Sequence, residues 1–260
     1  MDMNECLVFI PWETRNLNLQ SFEITDSFIR NPNEATLEKA LREKISEHGQ
    51  IFIQVRVSKD DSRIIPLLEQ KGFYFVETVL VPYTKLKTNT VLGRFVANKS
   101  EFLPAQYSLD GCKVAVINRE DSSLCQRIRD IAVESFVDDR FHCDPRCDKT
   151  IANKRFSYWV DDLLADTNIT FYVITCYDEP AGFMTRKTNE LVLGGLSRQY
   201  VGKGIAKFLW LSVLKDMLDE GHSAVHTLIA VNNIPVLNLY VGLGFKFKDP
   251  AATFHYWSTG

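Results

Sequence analysis

Two rhythms of apolar and polar residues alternate along this chain: short apolar runs, and stretches where apolar residues return every three or four positions. Residues 7–11 and 20–24 read as strands, 34–47 as a helix, and 50–57 as a strand with partial alternation. A helix over about 60–70 ends at Gly72, and Phe73-Tyr74-Phe75-Val76, running on to Val79-Leu80-Val81, restores strand character. From 86 to 110 the periodicity fades into Thr, Asn, Gly and Pro, the composition of a connection. A domain boundary is expected there, dividing the chain into residues 1–108 and 109–260.

The second part predicts a strand at 113–117, a helix near 121–135, a loop at 138–148, a helix near 149–164 and a strand at 169–176. Asp178-Glu179-Pro180 turns the chain into 181–187, and 190–196 forms the strand that delivers Tyr200-Val201-Gly202-Lys203-Gly204-Ile205-Ala206. The next helix carries Ala206, Trp210, Val213, Leu214, Met217 and Leu218 at helical spacing, which marks it as a core helix. A strand at 225–230, a helix from 233 to about 243, and apolar segments at 245–247 and 254–257 complete the chain. An α/β (α+β) fold follows. A shift of 172 residues lays Gly72-Phe73 on Gly244-Phe245 and the strand at 51–57 on 223–229. Two readings fit: a duplication whose first copy has lost the glycine loop and serves as support and substrate wall, or chance matching of common strand-helix-strand segments.

With 260 residues, 45% hydrophobic and 24% charged, the chain can bury one large core or two modest ones. Thirty basic against thirty-three acidic side chains give a net charge of -3, so there is no basic excess for nucleic acid or an anionic membrane. A small-molecule substrate fits better. The start, Met1-Asp2-Met3-Asn4-Glu5, lacks a secretory pattern and no run of about eighteen apolar residues occurs, so a cytoplasmic protein is expected. The six cysteines, at 6, 112, 125, 143, 147 and 176, follow no framework spacing and read as reduced thiols. His142, Cys143 and Cys147 lack a second cluster to complete a tetrahedral shell, so no metal site is expected.

The glycine segment reads as an anion cradle. Gly202 and Gly204 permit close backbone approach, and the amides of Gly202, Lys203, Gly204, Ile205 and Ala206, opening a helix, point at a phosphate. Upstream, Gly194-Gly195 inside a strand marks close approach of a ligand, with room for an acyl group larger than acetyl. Downstream stand Asn233, Leu239-Tyr240 and Gly244-Phe245.

Residues 112–260 resemble the GNAT superfamily of N-acyltransferases through the loop Val201-Gly202-Lys203-Gly204-Ile205-Ala206 and the ordered Asn233 and Tyr240 that follow it. Val201 stands where the family usually has Gln or Arg. The resemblance implies a GNAT fold with a mixed, mostly antiparallel central sheet, and a smaller degenerate GNAT-like unit over 1–108. It implies acyl-CoA as co-substrate, with the pyrophosphate on residues 201–206, pantetheine beside Asn233, the carbonyl on the Leu196 amide and Tyr240 as general acid toward sulfur.

Trp12, Asp139-Arg140-Phe141-His142, Asp144-Pro145 and Tyr158-Trp159 are further similar to sugar-nucleotide N-acyltransferases, which act on dTDP-linked 3-amino or 4-amino sugars with acetyl or 3-hydroxybutanoyl donors. That similarity implies surface-polysaccharide biosynthesis and a homodimer. By their own chemistry, Phe141 and Tyr158 are candidates for a wall that stacks the nucleotide base and Arg140 for its diphosphate, and a water relay, with His142 and Glu190 as the side-chain alternatives, would take the amine's proton. Acetylation of another amine (an antibiotic, a polyamine or a protein terminus) and non-catalytic binding of coenzyme A are the alternatives.

Overall fold

The structure, a computed structural model, describes residues 6–136 and 139–258. Asp138, where the expected loop begins, and the N-terminal residues 1–5 lie outside them. The first part runs β1 (Leu7–Phe9), α1 (Pro11–Leu17), β2 (Gln20–Ile24), α2 (Asp26–Arg30), α3 (Glu34–His48), β3 (Ile51–Ser58), α4 (Ile64–Gln70), β4 (Tyr74–Lys85) and α5 (Thr90–Ala97). The second runs β5 (Cys112–Val116), α6 (Ser122–Ser135), α7 (Arg140–Cys143), α8 (Lys149–Ala165), β6 (Ile169–Cys176), β7 (Glu179–Lys187) and β8 (Glu190–Leu196). After these come α9 (Ile205–Asp219), β9 (Ala224–His226), β10 (Ile229–Ala230), α10 (Ile234–Gly242) and β11 (Lys246–Trp257).

All strands join one mixed sheet in the order β1-β2-β3-β11-β4-β9-β8-β7-β6-β5, with β10 also on β4. The pairings are antiparallel except β2–β3 and β8–β9. Alternation of side chains fixes the layers. Tyr172 and Ile174 of β6 face the core of α5, α9 and α10, whereas Phe171 and Val173 face α6 and α8. On β3, Ile53, Val55 and Val57 pack under α3 and α4, and Phe52 faces the opposite way toward Phe141.

The expected repeat reappears element by element. Under the 172-residue offset β2, α3, β3, α4 and β4 fall on β8, α9, β9, α10 and β11. The two sets also exchange strands: β11 lies between β3 and β4, and β4 lies between β11 and β9. The sheet therefore runs through the expected boundary near residue 108.

Several sequence expectations need correction. Residues 86–110 are no bare connection, because Asn89 caps α5 and that helix buries Leu92 and Phe95 completely. At 8 residues α5 is too short for its periodicity to stand out. The first strand stops at Phe9 because Pro11 opens α1. The α4 helix begins at Ile64, after Asp61 has accepted the amides of Arg63 and Ile64. The two C-terminal apolar segments are one strand, with a register shift between Lys248 and Ala251. Cys112 and Cys176 are direct cross-strand neighbours with Cα atoms 4.3 Å apart and form a disulfide, so the expectation of six reduced thiols does not hold. Among the described residues no helix is long and apolar enough to cross a membrane.

Candidate functional site

β8 and β9 run parallel yet pair at one position only, Glu190 with His226. Just beyond it the Thr227 hydroxyl donates to the Leu191 carbonyl at 2.7 Å, and the chain then leaves β8 to pair through β10 with β4. Among the described residues the rest of β8 pairs with no strand on that side, so the two strands diverge into a cleft toward its C-terminal end. Ser197 donates its amide to Ala181 of β7, and amides alternate in direction along a strand, so the Leu196 amide points into the cleft. Open α/β sheets bind ligands at such divergences.

The glycine loop stands at the mouth of this cleft. Gly202 and Gly204 adopt φ of 74° and 83°, the left-handed region that favours glycine. Gly204 precedes α9 without any side-chain cap. Among the described residues, the amides of Gly202, Gly204, Ile205, Ala206 and Lys207 find no acceptor in the protein. Val201 and Lys203 differ, donating their amides to Arg198 and Tyr200 within the loop. Uncapped amides at the start of a 15-residue helix carry the partial positive charge that suits an anion, and Lys203 and Lys207 stand in the same stretch of chain. Pro104 packs against Gly204, its Cγ 2.8 Å from where a β-carbon would stand.

The first copy lacks both features. β2 and β3 stay zipped over four residue pairs, from Gln20–Ile51 to Glu23–Gln54. The start of α3 is closed by Asn33, whose Oδ1 accepts the Thr36 amide at 2.9 Å, and Glu34 places negative charge in its first turn. An anion would meet a satisfied helix end and a like charge.

Tyr240 lies under the vertex of the cleft, buried with 3% exposure. Its hydroxyl accepts a hydrogen bond from Trp210 Nε1 at 3.1 Å and lies beside that of Thr227. Burial pushes the phenol up to about 12 against the opposing pull of those two neighbours, so it holds its proton at neutral pH. Asn233 caps α10, its Oδ1 accepting the Val236 amide at 3.3 Å. Glu190 is exposed at the outer end of β8. Trp210, Thr227 and Pro104 were not legible as site residues: the first reads as core, the second as strand and the third as linker.

Other expected contacts are engaged elsewhere. Arg140 pairs with fully buried Glu13 at 3.0 Å, and Arg155 reaches the same carboxylate at 2.7 Å, so Arg140 is not available to a diphosphate. Phe141 is completely buried against Phe52 and His255 rather than lining a wall. Tyr158 is exposed on α8, but under Arg15, whose guanidinium lies 5.0 Å from its ring centre. His142 has Asp139 on Nδ1 and Asn153 on Nε2, which leaves no ring nitrogen for a substrate proton. The loop carrying these residues is fastened to β4 and β11 by Asp144, which accepts from Tyr74 at 2.6 Å and Trp257 at 2.9 Å and pairs with His255 at 2.7 Å.

The space beside Gly194 and Gly195 is likewise filled. A β-carbon on Gly194 would stand 2.5 Å from Met184 and 3.2 Å from Trp210, and one on Gly195 would stand 2.7 Å from the Ser135 hydroxyl. These glycines admit the protein's own side chains, not a larger acyl group. Among the described residues no three His, Cys, Asp or Glu side chains converge on a metal position.

No protein-family model and no curated protein matches the chain. Solved structures do. A GCN5-related N-acetyltransferase from Sphaerobacter thermophilus superposes with a TM-score of 0.62 at 15% identity, over 96% of this chain and 76% of that one. A tandem GNAT protein from the clavulanic acid pathway gives 0.60 at 12% identity, over 92% and 76%. The glucosamine N-acetyltransferase region of a fungal multi-domain β-N-acetylglucosaminidase gives 0.57 at 12% identity, over 96% of this chain and 30% of that one. The chain has the GNAT fold, along nearly its whole length.

Proposed function

We propose that this protein is an acyl-CoA-dependent N-acyltransferase with one coenzyme site per chain, in the cleft between β8 and β9. One observation carries the reading: a strand pair joined at a single position and an uncapped glycine helix start, both absent from the first copy among the described residues, occur where the superfamily motif stands. The copy within residues 1–108, closed at both places, serves as support.

The residues fit a coenzyme A thioester. Amides 204–207 and the flanking lysines would hold the pyrophosphate, the Leu196 amide would meet the acyl carbonyl, and Asn233 would offer its side-chain NH₂ to pantetheine while its oxygen caps α10. Coenzyme A supplies an activated acyl group on sulfur. Tyr240, kept protonated, gives its proton to the departing sulfur as an amine nitrogen bonds to the acyl carbon; the amine's own proton leaves to solvent.

For the acceptor we propose the amino group of a nucleotide-linked amino sugar, of the dTDP type, in surface-polysaccharide synthesis, with acetyl or 3-hydroxybutanoyl as the acyl group. Support comes from the sequence similarity around residues 139–159 and from the glucosamine acetyltransferase among the structural neighbours. Arg140, Phe141 and His142 do not contribute to it, since each is engaged within the protein. Thiol release across a matrix of acetyl-CoA and 3-hydroxybutanoyl-CoA against 3-amino and 4-amino dTDP-sugars tests it. Turnover with one pair carries the proposal, and turnover only with antibiotics or polyamines moves it to another amine.

A second reading, coenzyme binding without catalysis, is favoured by the burial of Tyr240 and its bond from Trp210. Turnover by the wild-type protein separates the two: coenzyme binding with no thiol release against any amine supports the second reading, and thiol release excludes it.

A further inference from the structure

We infer that Trp210 is a positioning residue that fixes the direction in which the Tyr240 hydroxyl offers its proton, with Gly194 as the clearance that lets the indole in. The inference rests on the role given to Tyr240 above.

The geometry follows from hydrogen-bond inventories. An indole N–H can only donate, so the 3.1 Å contact from Trp210 Nε1 makes the tyrosine oxygen the acceptor and leaves the tyrosine's own hydrogen uncommitted. The Thr227 hydroxyl beside it donates to the Leu191 carbonyl at 2.7 Å. The Tyr240 hydrogen is therefore left for an incoming acceptor, near the point where β8 and β9 stop pairing. When a departing thiolate becomes that acceptor, the O–H bond breaks, an S–H bond forms, and the phenolate left behind keeps the Trp210 N–H.

Trp210 reaches this position because β8 offers no side chain there. The far edge of its ring lies 3.2 Å from the missing β-carbon of Gly194, while its nitrogen touches Tyr240. The glycine that sequence reading assigned to an acyl group belongs instead to this contact.

Three variants test the chain of contacts. Trp210→Phe keeps the ring and deletes the donor; it is expected to lower kcat on the order of tenfold while the KM for acyl-CoA stays within about twofold. In a Tyr240→Phe background the same substitution is expected to lower kcat no further, because Trp210 acts through the missing hydroxyl. A repeated loss in that background, or an unchanged kcat for Trp210→Phe beside a crippled Tyr240→Phe, overturns the inference. An unchanged kcat for Tyr240→Phe alone instead overturns the general-acid reading, and this inference with it. Should Trp210→Phe not fold, the indole N–H resonance of Trp210 decides: an upfield move in Tyr240→Phe supports the contact, and an unmoved resonance overturns it.

Discussion

Val79 and Ala251 stand directly opposite one another where β4 and β11 run antiparallel, and they are also counterparts under the 172-residue offset. The two copies thus meet on an internal twofold, each donating its last strand to the other's sheet. Residues 109–260 expressed alone would leave β11 without β3 and β4, and β9 without β4. We expect no cooperative thermal transition from that fragment, and recovery of one when residues 1–108 are co-expressed. A cooperative melt of 109–260 by itself would contradict the exchange.

Gly204 and Gly202 separate strain from contact. Both are left-handed, so alanine at either costs about 1 kcal/mol or more in backbone strain. Only at Gly204 would the new methyl also meet Pro104, at 2.8 Å; nothing stands within 4 Å at Gly202. Gly204→Ala should weaken coenzyme binding at least about tenfold and Gly202→Ala clearly less, as read by calorimetric titration. Equal losses would place the constraint in φ alone.

Gly195→Ala pushes a methyl to 2.7 Å from the Ser135 hydroxyl, which itself bonds to Ile131 and Leu196. Overpacking of this kind destabilises by roughly 1–3 kcal/mol. The expected result is a lower melting temperature with the ratio of acetyl to 3-hydroxybutanoyl turnover unchanged. A changed ratio at unchanged stability would restore these glycines to the acyl pocket.

Glu13 carries the clearest pH signature. Burial alone would raise its carboxyl, but Arg155 and Arg140 overcome that and hold it at about 2. Because the folded value lies below the unfolded one, near 4.5, the stabilisation is complete above that pH and is lost as pH falls from there toward 2. The shift corresponds to about 3 kcal/mol. Glu13→Gln leaves two buried guanidiniums without their carboxylate, so it should cost roughly 3–5 kcal/mol at pH 7 and flatten the stability profile between pH 4.5 and 3. Urea unfolding across that range is the measurement; an unaltered profile would remove the triad from the acid response.

The glycine loop, the core helix after it and the order of strands were legible because each rests on local pattern: positive φ, 3.6-residue spacing and alternation. The loop at 139–148 was misread for a physical reason. Its Arg, Phe and His are residue types that suit a ligand, and here the Arg and Phe fasten the loop to the first copy through Glu13 and Phe52 while the His closes the loop on Asp139. Those partners are distant in sequence or lie in the same turn, and spacing does not reveal them. Gly194 was misread likewise, since a missing side chain records that something comes close but not what, and here it is Trp210. The parting of β8 from β9 depends on β10 choosing β4, a tertiary choice with no local signature.

Calorimetric titration of acyl-CoA into the intact protein, beside Gly204→Ala, tests the central claim most directly. The cleft between β8 and β9, with α3 closed by Asn33, predicts one site per chain that weakens at least about tenfold in the variant. Two sites per chain, no binding, or equal affinity in both proteins would contradict it.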